Sequence, residues 1–101
     1  MLMTNLISQI FKNKNKKLVT FVTGGDPDFK TSNEILKIII ENGVDIIEIG
    51  MPFSDPMADG PTIQLSSNRA LENNIDLDQI FELARNAKKI KEKLPIILMG
   101  Y

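Results

Sequence analysis

The chain has 101 residues, with 12 lysines and arginines, 13 aspartates and glutamates, and 43% apolar residues, which suits at most one globular domain. A formal net charge of -1 leaves no basic surplus for a phosphate backbone, and no apolar run is long enough to cross a membrane, so neither nucleic acid nor membrane is an expected partner. Cysteine and histidine are absent, so any catalysis must use carboxylates, lysine, tyrosine or hydroxyls.

The first predicted element is a short helix. Leu6, Ile7 and Ile10 recur at helical spacing behind Thr4, which predicts a helix from Thr4 to Phe11 with Thr4 as its cap. A lysine-rich run follows at residues 12–17, and charge runs between elements are usually solvated. We interpret it as an exposed turn, with a binding patch as the alternative.

Strands and helices alternate through the rest of the chain. Short β-branched and aliphatic runs predict strands at residues 18–22, 44–49 and 95–99. Helix caps and stop signals predict a helix from the Asp28 cap to Asn42–Gly43, one from Pro61 to Asn73–Asn74, and one from the Asp76 cap into the lysine-rich residues 88–93. The apolar stripe of that last helix is predicted to contain Leu77, Ile80, Phe81, Ala84, Ala87 and Ile90.

This order of elements predicts the fold class. Apolar strands joined by crossover helices indicate a parallel α/β sheet covered on both faces. The third strand is followed by only two residues, which would leave one sheet face bare and two edges unpaired. We therefore expect a piece of a larger α/β fold, either a barrel or an open doubly wound sheet.

Glu48 is the first candidate catalytic residue. Alternation along the second strand sends Ile47 and Ile49 to one face and places Glu48 with Ile46 on the other. An ionised carboxylate buried without a partner is costly, so a carboxyl in that position tends to keep its proton, as a general acid requires. Pairing with a lysine or arginine is the alternative. The end of a parallel strand is also where α/β folds place their chemistry.

A long loop follows this strand. Residues 50–61 contain two further carboxylates, Asp55 and Asp59, and three prolines that stiffen the backbone. Loops longer than a simple crossover needs are more often functional than idle. The structural alternative is that Ser54, Asp55 and Asp59 make turn and cap hydrogen bonds, with Asp59 assisting the helix that Pro61 begins.

The glycine-containing loop of residues 23–28 carries only a weak signal. It links a strand to a helix, but it has neither the spacing of a dinucleotide fingerprint nor the lysine of a P-loop, and its two aspartates would repel phosphate. The aspartates could instead bind Mg²⁺, as an acidic pair does in response-regulator receiver domains. Met99-Gly100-Tyr101 offers no phospho-acceptor aspartate at the third strand, which counts against that alternative.

The most specific pattern is the continuous run at residues 47–64, which reads IEIGMPFSDPMADGPTIQ. It closely resembles the signature of the tryptophan synthase alpha subunit family. The resemblance extends upstream to residues 21–27 (FVTGGDP) and downstream to residues 69–71 (RAL), and so covers essentially the whole chain.

The resemblance implies a TIM (β/α)8 barrel of roughly 250 residues. Residues 1–101 would be an N-terminal fragment of that single domain, comprising the N-terminal helix and the first three strand-helix units. The implied activity is that of a carbon-carbon lyase: reversible retro-aldol cleavage of indole-3-glycerol phosphate to indole and glyceraldehyde 3-phosphate in tryptophan biosynthesis. The family's phosphate site lies on late loops of the barrel, so the isolated chain is expected to be inactive.

The resemblance also implies roles for individual residues. Glu48 matches the acid-base glutamate, and Asp59 matches the carboxylate that accepts the indole N–H. Phe21, Met99 and Tyr101 would line the indole pocket. No cofactor and no metal is implied.

A partner follows from the same resemblance. The indole would pass to a beta subunit in an alpha2beta2 heterotetramer, and the loop after the second strand would contact that subunit. The contact residues would be Pro52, Phe53, Asp55 and Pro56, with Asp55 as the coupling residue. A cytoplasmic location is expected for a biosynthetic subunit with no signal sequence. The alternative function is a truncated, inactive module that docks a beta subunit.

Overall fold

A three-stranded parallel sheet with two helices packed on one face forms the body of the protein. The computed structural model describes residues 5–54 and 58–100. Over these ranges the elements are α1 (Leu6–Ile10), β1 (Val19–Thr23), α2 (Phe29–Glu41), β2 (Ile46–Gly50), α3 (Pro61–Glu72), α4 (Leu77–Ile90) and β3 (Ile96–Met99). None of the described helices is both long and apolar enough to cross a membrane.

The strands lie in the sheet in the same order as in the chain, β1-β2-β3, and both pairings are parallel. Phe21 is opposite Glu48, which is opposite Ile97 on the third strand. Opposed residues of parallel strands share a face, so these three side chains lie on the same side of the sheet. One face therefore carries a carboxylate between two apolar residues.

The core lies on the opposite face of the sheet. Ile47 and Ile49 of β2 are fully buried there, beneath α2 and α4. The main buried contacts from the helices are Leu36, Ile40, Ile80, Leu83 and Ala87. Leu83 was absent from the stripe predicted for α4, while Leu77, Phe81 and Ile90 from that stripe are exposed. The wide apolar surface of α4 thus has only one side covered by described residues.

As expected for a piece of a larger α/β fold, the described residues leave one face of the sheet open. Phe21 and Met99, on the face away from α2 and α4, are 38% and 45% exposed. The physical reason is the strand order: because each strand is added beside the previous one, both crossovers place their packed helix on the same face. Three strands in this order occur both in a barrel and in the first half of an open doubly wound sheet, so the strand order alone agrees with either fold.

Most predicted helix ends are confirmed. Asp28 accepts a hydrogen bond from the Thr31 amide at 2.7 Å, and Asp76 forms a capping box with Gln79. Gly43 follows the end of α2 with a φ of 92°, and Asn74 follows α3 with a φ of 61°. These two residue types tolerate the left-handed conformation that ends helices.

Some strand bounds and helix caps differ from the predictions: β1 begins and ends one residue later than predicted, and β3 begins one residue later. The described cap of α1 is Asn5, which accepts from the Ser8 amide at 2.8 Å, while Thr4 lies outside the described residues. The cap of α3 is Gly60, with no side-chain hydrogen bond, so the Asp59 carboxylate does not cap it. β2 begins at Ile46 rather than at Val44, and just before it the carboxylate of Asp45 accepts from the Leu18 amide at 2.8 Å.

Candidate functional site

The open face of the sheet leads to a cavity at the carboxyl ends of the strands. Its volume is about 280 Å³, close to the lower limit of about 300 Å³ for typical small-molecule sites. The residues that line it are Phe21, Thr23, Gly50, Met51, Ala58, Asp59, Ile63, Ser67, Met99 and Gly100. The walls are mainly apolar, and three polar side chains converge on the space, as is typical of small-molecule sites.

The cavity brings together several of the residues predicted from the sequence. Phe21 from β1, Met99 from β3 and Asp59 from the loop before α3 all line it. Glu48 is not part of the lining. It lies two residues before Gly50 on β2 and therefore on the same face as the cavity floor, one step further down the sheet.

Glu48 is half-buried, with Phe21 and Ile97 beside it on the neighbouring strands. Its carboxylate makes no hydrogen bond or ion pair with any residue in the described ranges. The alternative of a glutamate paired with lysine or arginine therefore has no support within residues 5–54 and 58–100.

The remaining predicted residues lie around the same edge or outside the described ranges. Pro52 is half-buried and lines a smaller cleft together with Asp76, the cap of α4, and Phe53 is 43% exposed. Asp55, Pro56 and Tyr101 lie outside the described residues.

Three polar contacts hold α3 against the end of β1 and the loop after it. Thr23 and Ser66 are in hydrogen-bond contact through their hydroxyl oxygens at 2.6 Å. Arg69 donates from Nε and Nη2 to the two carboxylate oxygens of Asp26, at 2.7 and 2.9 Å. The amide nitrogen of Asn73 donates to the Pro27 carbonyl at 2.7 Å. These contacts fix the helix whose first turn follows Asp59.

The hydroxyl pair has a defined direction. Ser66 Oγ also donates to the carbonyl of Ile63 at 2.9 Å, and a carbonyl can only accept. The single hydrogen of Ser66 is thus in use, so Thr23 donates to Ser66 and presents only lone pairs to the cavity. The buried hydroxyl of Thr23 can therefore only accept a hydrogen bond from a ligand in the cavity.

The Asp26–Arg69 pair counts against Mg²⁺ binding by the loop of residues 23–28. Its hydrogen bonds raise the pKa of the Arg69 guanidinium, and both Asp26 oxygens are occupied by it. A carboxylate held in this way is not a free ligand for Mg²⁺. Over the described residues, no group of three or more acidic side chains is arranged to hold a metal ion.

Sequence reasoning missed Thr23, Ile63 and Ser67 as members of the cavity. The available signal was the Ser66-Ser67 pair at the centre of a helix, since serine is a modest helix former and its burial there calls for hydrogen bonds. Only the fold shows that one serine contacts β1 while the next lines the cavity.

The family model for the tryptophan synthase alpha chain matches residues 7–101. The chain belongs to the tryptophan synthase alpha chain family. The tryptophan synthase alpha chain of Geotalea daltonii is 50% identical over 97 residues, which make up 96% of this chain and 36% of that relative. The resemblance stated from the sequence is therefore confirmed.

Solved structures of the tryptophan synthase alpha family share the fold. Tryptophan synthase subunit alpha from Legionella pneumophila aligns with a TM-score of 0.91 at 36% identity, over 98% of this chain and 39% of its own. A chain of the tryptophan synthase a2b2 complex from Pyrococcus furiosus aligns with a TM-score of 0.76 at 38% identity, over 84% of this chain and 36% of its own. The predicted fold class, a TIM barrel of which this chain provides three strands, is confirmed. The chain spans little more than a third of the length of these relatives.

Proposed function

We propose that this chain provides the acid-base half of a tryptophan synthase alpha active site, in which indole-3-glycerol phosphate is cleaved to indole and glyceraldehyde 3-phosphate. The observation that carries the proposal is the placement of Phe21, Asp59 and Met99 around one cavity, with Glu48 on the same sheet face just below its floor. Family membership supports the reaction class, a carbon-carbon lyase.

Glu48 is proposed as the proton donor. Cleavage of the bond between indole C3 and the side chain requires a proton on C3, and removal of a proton from the neighbouring hydroxyl completes the retro-aldol step. A carboxyl with apolar neighbours on both adjacent strands and no partner among the described residues is suited to hold and return a proton.

Asp59 is proposed to accept the hydrogen bond of the indole N–H. Positive charge develops on the ring nitrogen when C3 is protonated, and a carboxylate next to it stabilises that charge more in the transition state than in the ground state. Phe21 and Met99 would enclose the ring, and Tyr101 is proposed as a third wall on the basis of the family pattern. The two carboxylates thus have separate roles.

We also propose a beta subunit as the partner. One structural neighbour is described as part of an a2b2 complex, which supports an alpha2beta2 assembly for this family member. Pro52, Phe53, Asp55 and Pro56 are the proposed contacts, with Asp55 coupling the two sites. A cytoplasmic location is proposed from the biosynthetic role.

The experiment uses a chimera, in which residues 1–101 replace the aligned residues of the Geotalea daltonii relative and the rest of the barrel comes from that protein. Indole release from indole-3-glycerol phosphate is measured for the chimera, for its Glu48→Gln variant and for Glu41→Gln, an exposed glutamate at the end of α2. We expect the chimera and Glu41→Gln to be active and Glu48→Gln to lose at least about 10²-fold in turnover.

An active Glu48→Gln chimera would contradict the assignment of the acid-base residue. The isolated 101-residue chain is expected to release no indole above background. If the isolated chain nevertheless binds a tryptophan synthase beta chain, the docking module becomes the better description of the chain by itself.

A further inference from the structure

Ser67 is the one buried polar residue, within the described ranges, whose side chain has no hydrogen-bond partner there. The buried polar residues are Thr23, Ser32, Ser66 and Ser67. Thr23 and Ser66 bond to each other, and Ser32 Oγ accepts from the Gly25 amide at 3.0 Å. Ser67 is only 4% exposed and makes no such contact with a described residue. A buried hydroxyl without a partner is destabilising, because it has given up hydrogen bonds to water without replacing them.

The small exposed part of Ser67 faces the cavity. No described side-chain oxygen or nitrogen is both fully enclosed and unpaired, so the hydroxyl of Ser67 keeps some accessible surface. Ser67 itself lines the cavity. Its hydroxyl can therefore be reached by a ligand or a water molecule in the cavity.

Asp59, Ile63 and Ser67 are spaced by four residues and line the cavity together. Ile63 and Ser67 lie on one face of α3, and Asp59 lies just before its cap. A flat ring whose N–H is bound by Asp59 would thus place its adjacent edge along Ile63 and Ser67.

The polar side chains that line the cavity differ in whether they can donate a hydrogen bond. An ionised Asp59 only accepts, and Thr23 has already given its hydrogen to Ser66. Among the described side chains that line the cavity, Ser67 alone has an O–H to donate. The cavity can therefore bind a hydrogen-bond donor of a ligand at Asp59 and a hydrogen-bond acceptor of the same ligand at Ser67.

We propose that Ser67 is a specificity-determining residue that donates a hydrogen bond to an acceptor atom on the edge of a bicyclic heteroaromatic ligand. The ligand class is a fused ring with one N–H and a second ring nitrogen, and a ring without the acceptor leaves this hydroxyl to water. The inference rests on the proposed indole site, because Asp59 must bind the N–H for the ring edge to face Ser67.

The test compares indole with 4-, 5-, 6- and 7-azaindole, which carry the acceptor at four successive ring positions. Dissociation constants are measured by ligand-observed NMR with the full chain, its Ser67→Ala and Ser67→Thr variants, and Ser32→Ala as the control. Ser32 is also buried but does not line the cavity. The affinity of each azaindole is expressed relative to indole for each protein, so that a general loss of stability cancels.

We expect the relative affinity of at least one azaindole to fall about threefold or more in Ser67→Ala, as loss of one neutral hydrogen bond predicts. Ser67→Thr keeps the hydroxyl and should keep the preference, and Ser32→Ala should not change it. Equal ratios for all four azaindoles in the parent chain and Ser67→Ala would overturn the inference and leave the indole site standing. No binding of indole, or indole binding that Asp59→Asn does not weaken, would overturn the proposed site and this inference with it.

Discussion

The ring of Phe21 on β1 occupies the space beside Gly50 on β2: a Cβ atom on Gly50 would lie 2.6 Å from Cζ of Phe21. This is well inside van der Waals contact, so any side chain at residue 50 must displace the ring. Phe21 is also opposite Glu48 in the sheet and lines the cavity. The shape of the proposed indole pocket thus depends on the absence of a side chain at Gly50.

Gly50→Ala is expected to push the Phe21 ring into the cavity. The ring is 38% exposed and free to move on that side, so the loss of stability should be no more than about 1 kcal/mol, the lower end of the range for overpacking, and the smaller cavity should weaken indole binding. Thermal unfolding and an indole titration measure the two effects. Gly60→Ala is the matched control, because a Cβ there meets no atom within 4 Å. Equal indole affinity in Gly50→Ala and the parent chain would contradict the proposed position of the ring.

Asp59→Asn in the chimeric barrel is expected to lower turnover by about 10²-fold, with a smaller effect on substrate affinity. Asparagine can still accept the ring N–H, but it lacks the charge that opposes the positive charge formed on the protonated ring. The measurement is kcat and KM for indole release. Asp78→Asn, on the exposed first turn of α4, serves as the comparison and should behave as the parent. A change confined to KM would show that Asp59 binds substrate without stabilising the transition state.

The Asp26–Arg69 pair is expected to couple the first loop to α3. The two side chains are 19% and 52% exposed and share two hydrogen bonds, and a lysine at residue 69 could not reproduce this fork geometry. Denaturation midpoints of Asp26→Asn, Arg69→Met and the double variant form a double-mutant cycle. We expect the double variant to lose less stability than the sum of the losses in the two single variants.

The Glu82–Arg85 pair of α4 provides the comparison for that cycle. It is more exposed, at 41% and 61%, and lies within one helix. Exposed pairs of this type contribute little, so the corresponding cycle should be close to additive. Equal coupling in both cycles would mean that the Asp26–Arg69 contact does not hold α3 in place.

The cap at Asp28 predicts an acid-dependent loss of stability. The hydrogen bond from the Thr31 amide lowers the pKa of this carboxyl in the folded chain. Its stabilising contribution is therefore complete above the unfolded-state pKa, about 3.9, and is lost as the pH falls from there through the folded-state pKa. Asp28→Asn keeps a cap acceptor but does not titrate.

Unfolding midpoints of the parent and Asp28→Asn, measured from about pH 2 to about pH 6, test this prediction. The difference between the two proteins should be constant above about pH 5 and should change below about pH 4, with the parent losing stability relative to the variant. A difference that does not vary with pH would contradict the role assigned to the Asp28 carboxylate.

Local chemistry was sufficient to predict most of the fold from the sequence. Asp28, Pro61 and Asp76 mark helix starts through short-range hydrogen bonds or a fixed φ, and these starts are confirmed. The buried face of α4 was harder to predict, because apolar residues surround much of that helix. Which of them become buried depends on α2 and the sheet, so Leu83 could not be distinguished from Phe81 by periodicity.

The candidate site likewise contains residues that the sequence predicts and contacts that only the fold reveals. Phe21, Asp59 and Met99 were predicted from the family pattern and line one cavity. The contacts that hold α3 join residues 43 and 46 positions apart in the chain, and no local pattern indicates such pairs. The open hydroxyl of Ser67 depends on those contacts, because they fix which serine turns toward β1.

The agreement between strand order and chain order has a consequence for biosynthesis. Within the part of the chain that the structure describes, β1 and β2, and then β2 and β3, are neighbours both in the chain and in the sheet, so these two pairings join segments that are synthesised one after the other. During translation, β1 and β2 can associate while α3 is still being synthesised, and β3 then adds to an edge that is already formed. The nascent chain can therefore grow its sheet one strand at a time as it leaves the ribosome.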